Sequence, residues 1–125
     1  VQNNALTQVN VSDSAIWELD CSGNRLTELN VSGCGYLMNL VCGNNQLTAL
    51  ELANCRRLAT VDCSGNQLTA LNLSATNALL TLNCKNNRLS TLTFNSTGYP
   101  IHVDCSGNQL TELNTDTMQF TRYLD

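Results

Sequence analysis

The sequence is short of charge. Asp, Glu, Lys and Arg make up only 13% of its 125 residues, against an average near ~25%. Lys and Arg are scattered as Arg25, Arg56, Arg57, Lys85, Arg88 and Arg122, and the net charge is −4. No basic stripe is available to neutralise phosphates, which argues against nucleic acid as a partner. Histidine occurs once, as His102. No serine or cysteine is spaced from it as a nucleophile would be, so no catalytic role is expected. No apolar run approaches the roughly eighteen residues of a membrane-spanning helix. The chain does not open on a signal-peptide pattern, although one removed earlier would leave no trace here. Apolar spacing of three, four and seven never persists for about ten residues, so no long helix is expected.

What is present is a period. Cysteine stands at Cys21, Cys42, Cys63, Cys84 and Cys105, each 21 residues apart. Asparagine follows at Asn24, Asn45, Asn66, Asn87 and Asn108. Leucines come next at Leu26, Leu47, Leu68, Leu89 and Leu110, then at Leu29, Leu50, Leu71, Leu92 and Leu113. An aliphatic precedes each cysteine by two places: Leu19, Leu40, Val61, Leu82 and Val103. A fixed period of this length is the signature of a solenoid. With hydrophobic residues at 42%, the chain is long enough to bury a substantial core. The expected organisation is one domain over 1–125: a half repeat at 1–18, five repeats from 19 to about 121, and a partial sixth at 122–125. In the half repeat, shortened by one residue, Val9, Val11 and Ser12 match Leu29, Val31 and Ser32; in the partial one, Leu124 sits where the next aliphatic is due. The chain is read either as a fragment of a longer protein or as an array with unusual caps, since open solenoid ends expose apolar interior.

Each block has the form L-x-x-L-x-C-x-x-N-x-L, as in Leu79, Leu82, Cys84, Asn87 and Leu89. This resembles the leucine-rich repeat, with cysteine in the third aliphatic place. It looks most like the short bacterial class of about 21 residues found in secreted and cell-surface proteins, of the Bacteroidetes especially. The resemblance implies a solenoid with a parallel β-sheet on the concave side, short extended segments and loops on the other, and little or no helix. It also implies a protein-binding role, outside the cell or at a bacterial surface.

Within one coil, alternation places Leu19 and Cys21 inward and Asp20 outward. Strands are expected at 19–21, 40–42, 61–63, 82–84 and 103–105. The asparagines should point inward and bond backbone groups that the turn leaves unpaired. Cysteine is small and often buried, so its column reads as an inert packed ladder. Metal binding needs ligands that converge, and thiols in a row do not; no metal or other cofactor is expected. A row at coil spacing also disfavours disulfides, although Cys34 and Cys55, in a loop segment, leave a bridge open.

The variable columns carry the functional expectation. One outward column runs Asp20, Val41, Asp62, Asn83 and Asp104; its carboxylates offer a cation too few oxygens, so a solvated acidic face is favoured. Beside it run Glu18, Asn39, Thr60, Thr81 and His102, then Trp17, Met38, Ala59, Leu80 and Ile101. The last column is either half-buried where the strand begins or an exposed apolar ridge. The candidate contact set is Trp17, Asp20, Met38, Val41, Asp62, Leu80, Asn83, His102 and Asp104, with Trp17, Met38 and Val41 as an apolar centre and Trp17 as anchor. The reading is a non-enzymatic module whose protein partner carries a basic patch. The rivals are a structural spacer and a glycan-binding surface. "FNSTGYPI", residues 94–101, breaks the pattern, and Pro100 there predicts a kink or bulged loop.

Overall fold

The computed structural model describes residues 1–95 and 102–113, and the backbone of 123–124. Each 21-residue block closes one coil, and the coils stack in parallel. On one side lie β2 (Glu18–Asp20), β4 (Asn39–Val41), β5 (Thr60–Asp62), β7 (Thr81–Asn83), β9 (His102–Asp104) and β10 (Tyr123–Leu124), paired in that order as one six-stranded sheet. Register follows the period: Leu19 pairs with Leu40, Leu40 with Val61, Val61 with Leu82, Leu82 with Val103, and Val103 with Leu124. The other side carries two separate pairs. These are β1 (Gln8–Asn10) with β3 (Glu28–Asn30), and β6 (Ala70–Leu73) with β8 (Thr91–Phe94). The architecture is a parallel β-solenoid, as the sequence implied, with no helix among the described residues.

The strands end one residue earlier than alternation suggested. Asp20, Asp62 and Asp104 each turn back onto a serine two residues on, and this starts the turn before the cysteine. The ladder nonetheless continues through the cysteines, for Cys21 N–H donates to Val41 O at 2.9 Å and Cys42 N–H to Asp62 O at 2.8 Å.

Between the two sides lies a single core of leucine, valine and cysteine. Leu26, Leu47, Leu68 and Leu89 are wholly buried, as are Cys21, Cys42, Cys63 and Cys84. Cys105 is half-buried, a departure from the expected inaccessible row. Among the described residues, Cys105 has a neighbouring thiol coil on one side only. The residue missing from the first block falls in the loop: Ser14 occupies the place of Cys34, Ile16 that of Leu37, and Gly35 has open space around it. Val9 keeps its pairing with Leu29, so the deletion does not propagate into the strands. Tyr99 and Pro100, where a kink was expected, lie outside the described residues.

Candidate protein-binding face

Turns fix this face at one edge. After each strand the chain enters a positive-φ residue, and that column alternates between two residue types: Asn3, Gly23, Asn44, Gly65, Asn86 and Gly107, with φ between 54 and 66°. Glycine and asparagine are the residues that accept this conformation at low cost. The alternation has a packing cause. A Cβ placed on Gly65 would lie 2.6 Å from Asn44 Oδ1, and one on Gly107 would lie 2.5 Å from Asn86 Oδ1. The asparagine side chain of one coil fills the room that glycine leaves in the next. Sequence reading at a period of 21 missed this doubling. The signal was available as "DCSGN" at 20–24, 62–66 and 104–108, against "VCGNN" and "NCKNN" between them.

The invariant asparagine locks each turn to its neighbour. Asn66 Oδ1 accepts from Leu47 N–H at 3.0 Å, and its amide donates to Cys42 O at 3.0 Å, Cys63 O at 3.1 Å and Ser64 O at 3.3 Å. Asn45 makes the same set one coil earlier, with Leu26, Cys21, Cys42 and Gly43. Asn24 and Asn87 are buried in the same way, and Asn108 is half-buried. The two amide hydrogens are thus shared among three carbonyls and the oxygen accepts one N–H, so both polar atoms of the buried amide are paired.

The thiols behind this ladder are held neutral. Burial, with a smaller contribution from Asp62, pushes Cys63 up to about 12; burial, with the neighbouring Cys63 and Cys21 thiols and Asp62 adding to it, raises Cys42 well above its ordinary value. Burial likewise raises Cys21 to about 11. A thiol so shifted is a poor nucleophile and a poor metal ligand at neutral pH. Among the described residues, no group of three or more His, Cys, Asp or Glu is placed to hold a metal ion. Cys34 and Cys55 are free thiols, and each points to a backbone carbonyl: Val11 O at 3.0 Å and Val31 O at 3.1 Å. Thr76, in the same column, uses its hydroxyl on Leu73 O. This column is therefore a set of small donors turned to the backbone.

The outward columns form the face itself. Asp20, Val41, Asp62, Asn83 and Asp104 are half-buried at the strand ends. Ser22 Oγ donates to Asp20 Oδ1 at 2.6 Å, Ser64 Oγ to Asp62 at 2.7 Å, and Ser106 Oγ to Asp104 at 2.6 Å. The serine bonds hold the carboxyls of Asp20 and Asp104 below their ordinary range, so both stay charged at neutral pH. Asn83 donates to Asp62 Oδ2 at 3.1 Å, and Lys85 lies 3.9 Å from Asp104. His102 is exposed in the column of Glu18, Asn39, Thr60 and Thr81.

At the start of the strand, alternation fails. Met38 and Asn39 both direct their N–H groups to Trp17 O, at 2.8 and 3.3 Å; Ala59 and Thr60 do the same to Met38 O, and Leu80 and Thr81 to Ala59 O. Two successive donors on one carbonyl mean that successive side chains do not swap faces, as in a β-bulge. Trp17, Met38 and Leu80 therefore stand out, 61%, 40% and 49% exposed. Of the two readings left open for this column, the exposed ridge is the one observed. Ile101 lies outside the described residues. Beside the expected centre of Trp17, Met38 and Val41, Asn39 donates to Glu18 Oε1 at 3.0 Å. Tyr36 is half exposed, with the Arg57 guanidinium 5.0 Å from its ring centre.

Among solved structures, the chain is similar to one described as "Functional domain of InlJ from Listeria monocytogenes includes a cysteine ladder", at 22% identity and a TM-score of 0.36. The match covers 95% of this chain and 43% of that one. No protein-family model matches the chain, and no curated protein does.

Proposed function

We propose that the chain is a non-enzymatic protein-interaction module, secreted or displayed at a bacterial surface, that binds its partner through the strand face. The supporting observation is the exposed ridge of Trp17, Met38 and Leu80 beside the strand-end carboxylates of Asp20, Asp62 and Asp104. Large apolar side chains exposed together on an acidic face give a partner both an anchor and a steering field. The extracellular assignment rests on the resemblance of the repeat to secreted bacterial proteins.

The test is capture of a partner from extracts of the source organism, followed by affinities of variants on both sides of the coil. Trp17→Ala should weaken binding by roughly thirtyfold, the effect of truncating an interface anchor worth about 2 kcal/mol. Asp62→Asn should slow association most at low salt. Thr48→Ala and Thr69→Ala, on the opposite side, should stay within about twofold. The reverse pattern would move the site to the other side of the coil. Capture of a partner that binds every variant equally would place the contact on neither set of residues, and recovery of no partner would favour the spacer.

A further inference from the structure

Resting on that strand-face reading, we infer that the partner segment is a basic amphipathic α-helix lying along the stacking axis. The argument is one of matching periods. Coils rise by about 4.8 Å, the distance between paired strands. From Trp17 to Met38 is therefore about 5 Å, and from Trp17 to Leu80, three coils on, about 14 Å. A helix presents side chains at i, i+3, i+7 and i+10 on one face, at about 4.5, 10.5 and 15 Å along its axis. These rises follow the ridge coil by coil. The i+7 place falls at Ala59, where the small side chain leaves a dip between Met38 and Leu80 for a larger partner residue.

The carboxylates keep the same measure. Asp20, Asp62 and Asp104 recur every second coil, about 10 Å apart. Lysines at i and i+7 of a helix are separated by about 10.5 Å. An extended strand laid along the same axis places same-face side chains at about 7 and 14 Å; it can span Trp17 to Leu80 but misses the Met38 step at about 5 Å and the acid spacing of about 10 Å. Across the face, the acids stand three positions after the ridge, as Asp20 does after Trp17, about 10 Å of strand. That is close to the width of a helix, about 10–12 Å. A helix can thus rest its apolar stripe on the ridge and reach the acids with its flank. Asp20 and Asp104 are held charged by Ser22 and Ser106, which keeps the face acidic.

Trp17 is the only tryptophan in the chain and reports on its own surroundings. The probes are two labelled synthetic peptides of one composition, both without tryptophan. One carries leucines at i, i+3, i+7 and i+10 with lysines seven apart on the adjoining flank; the other alternates leucine and lysine. Labelled-peptide anisotropy gives affinity, Trp17 emission gives location, and circular dichroism gives the bound conformation. The helix-register peptide should bind at least about tenfold tighter, gain helix on binding and shift Trp17 emission to the blue. Asp62→Asn combined with Asp104→Asn should weaken it by roughly tenfold at low salt, and Thr69→Ala should leave it unchanged. Equal or tighter binding by the alternating peptide, with the Trp17 shift, would overturn the helix while leaving the strand-face reading in place. Binding without any Trp17 shift would overturn both. Binding by neither peptide would overturn the helix, and capture of a native partner with the Trp17 variant would then decide the strand-face reading by itself.

Discussion

The two sides of the coil use the same aliphatic spacing and reach different outcomes. On one side six strands form an unbroken sheet, whereas on the other β1–β3 and β6–β8 are separate pairs, with 49–51 outside any strand between them. Leu50 and Leu52 are as buried as their counterparts Leu29 and Val31, so apolar burial does not account for the gap. What differs is the polar scaffold beside the strand. The continuous side runs directly into the asparagine ladder, where Asn45 and Asn66 each tie two coils through buried hydrogen bonds. Among the described residues the interrupted side has exposed caps, such as Asn30 Oδ1 accepting from Ser32 N–H, and single buried donors, such as Cys55 Sγ to Val31 O, in place of an amide that bonds several backbone groups at once. Burial sets which residues face inward; buried amides set the register to which neighbouring coils are held.

That comparison predicts where damage is greatest. The largest effect should come from alkali. In the unfolded chain a thiol ionises near pH 9, while Cys42 and Cys63 are held neutral well above that, Cys63 to about 12. The unfolded state therefore loses protons first, and stability is full below about pH 9 and falls as pH rises toward 12. The loss should be about 1 kcal/mol per pH unit for each thiol. Denaturant melts of the protein and of the Cys42→Ala, Cys63→Ala double variant should diverge from pH 7 to pH 11, the variant showing the shallower decline. Parallel declines would show that the thiols are not the titrating groups.

Next in size is Asn66→Ala, which strands the buried Leu47 N–H and takes one donor each from Cys42 O, Cys63 O and Ser64 O, which keep the Asn45 amide, the Asn87 amide and Asn44 N–H respectively. A cost of about 3 kcal/mol is expected, at the upper end for buried groups left unpaired. A denaturation midpoint equal to that of the parent would contradict the ladder's role. Gly65→Ala should cost about 2 kcal/mol, from a positive φ in a residue with a Cβ, compounded by contact with Asn44 Oδ1. Adding Asn44→Gly should recover part of that loss by opening the space; no recovery would mean that backbone strain alone is responsible. Smallest should be Thr48→Ala and Thr69→Ala on the interrupted side, both exposed, within about 0.5 kcal/mol. A larger loss there would show that this side carries more of the fold than its broken pairing indicates.

Legibility in the sequence followed the same division. Inward residues repeat because each coil gives them the same surroundings, so Leu19, Cys21, Asn24 and Leu26 announce themselves as columns. The register of Leu124 with Val103 follows from counting. Features that depend on two coils at once did not announce themselves. The Gly23–Asn44–Gly65 alternation exists because one side chain fills its neighbour's space, which a single block does not contain. Exposure of Trp17 and Met38 depends on two N–H groups sharing one carbonyl, a backbone event that residue types do not encode. The gap at 49–51 is likewise invisible, since Leu50 and Glu51 read like Leu71 and Asn72.

The alternating turn column also governs how such an array can change length. Deleting the single coil 61–81 would bring Asn86 onto Asn44, placing a side chain where the room was made for glycine. Deleting 40–60 would stack Gly65 on Gly23 and leave the space of the Asn44 side chain empty. Removing or inserting 42 residues keeps asparagine over glycine at every junction. The unit of growth is thus a pair of coils, and expansions or contractions by even numbers of blocks should be tolerated far better than odd ones.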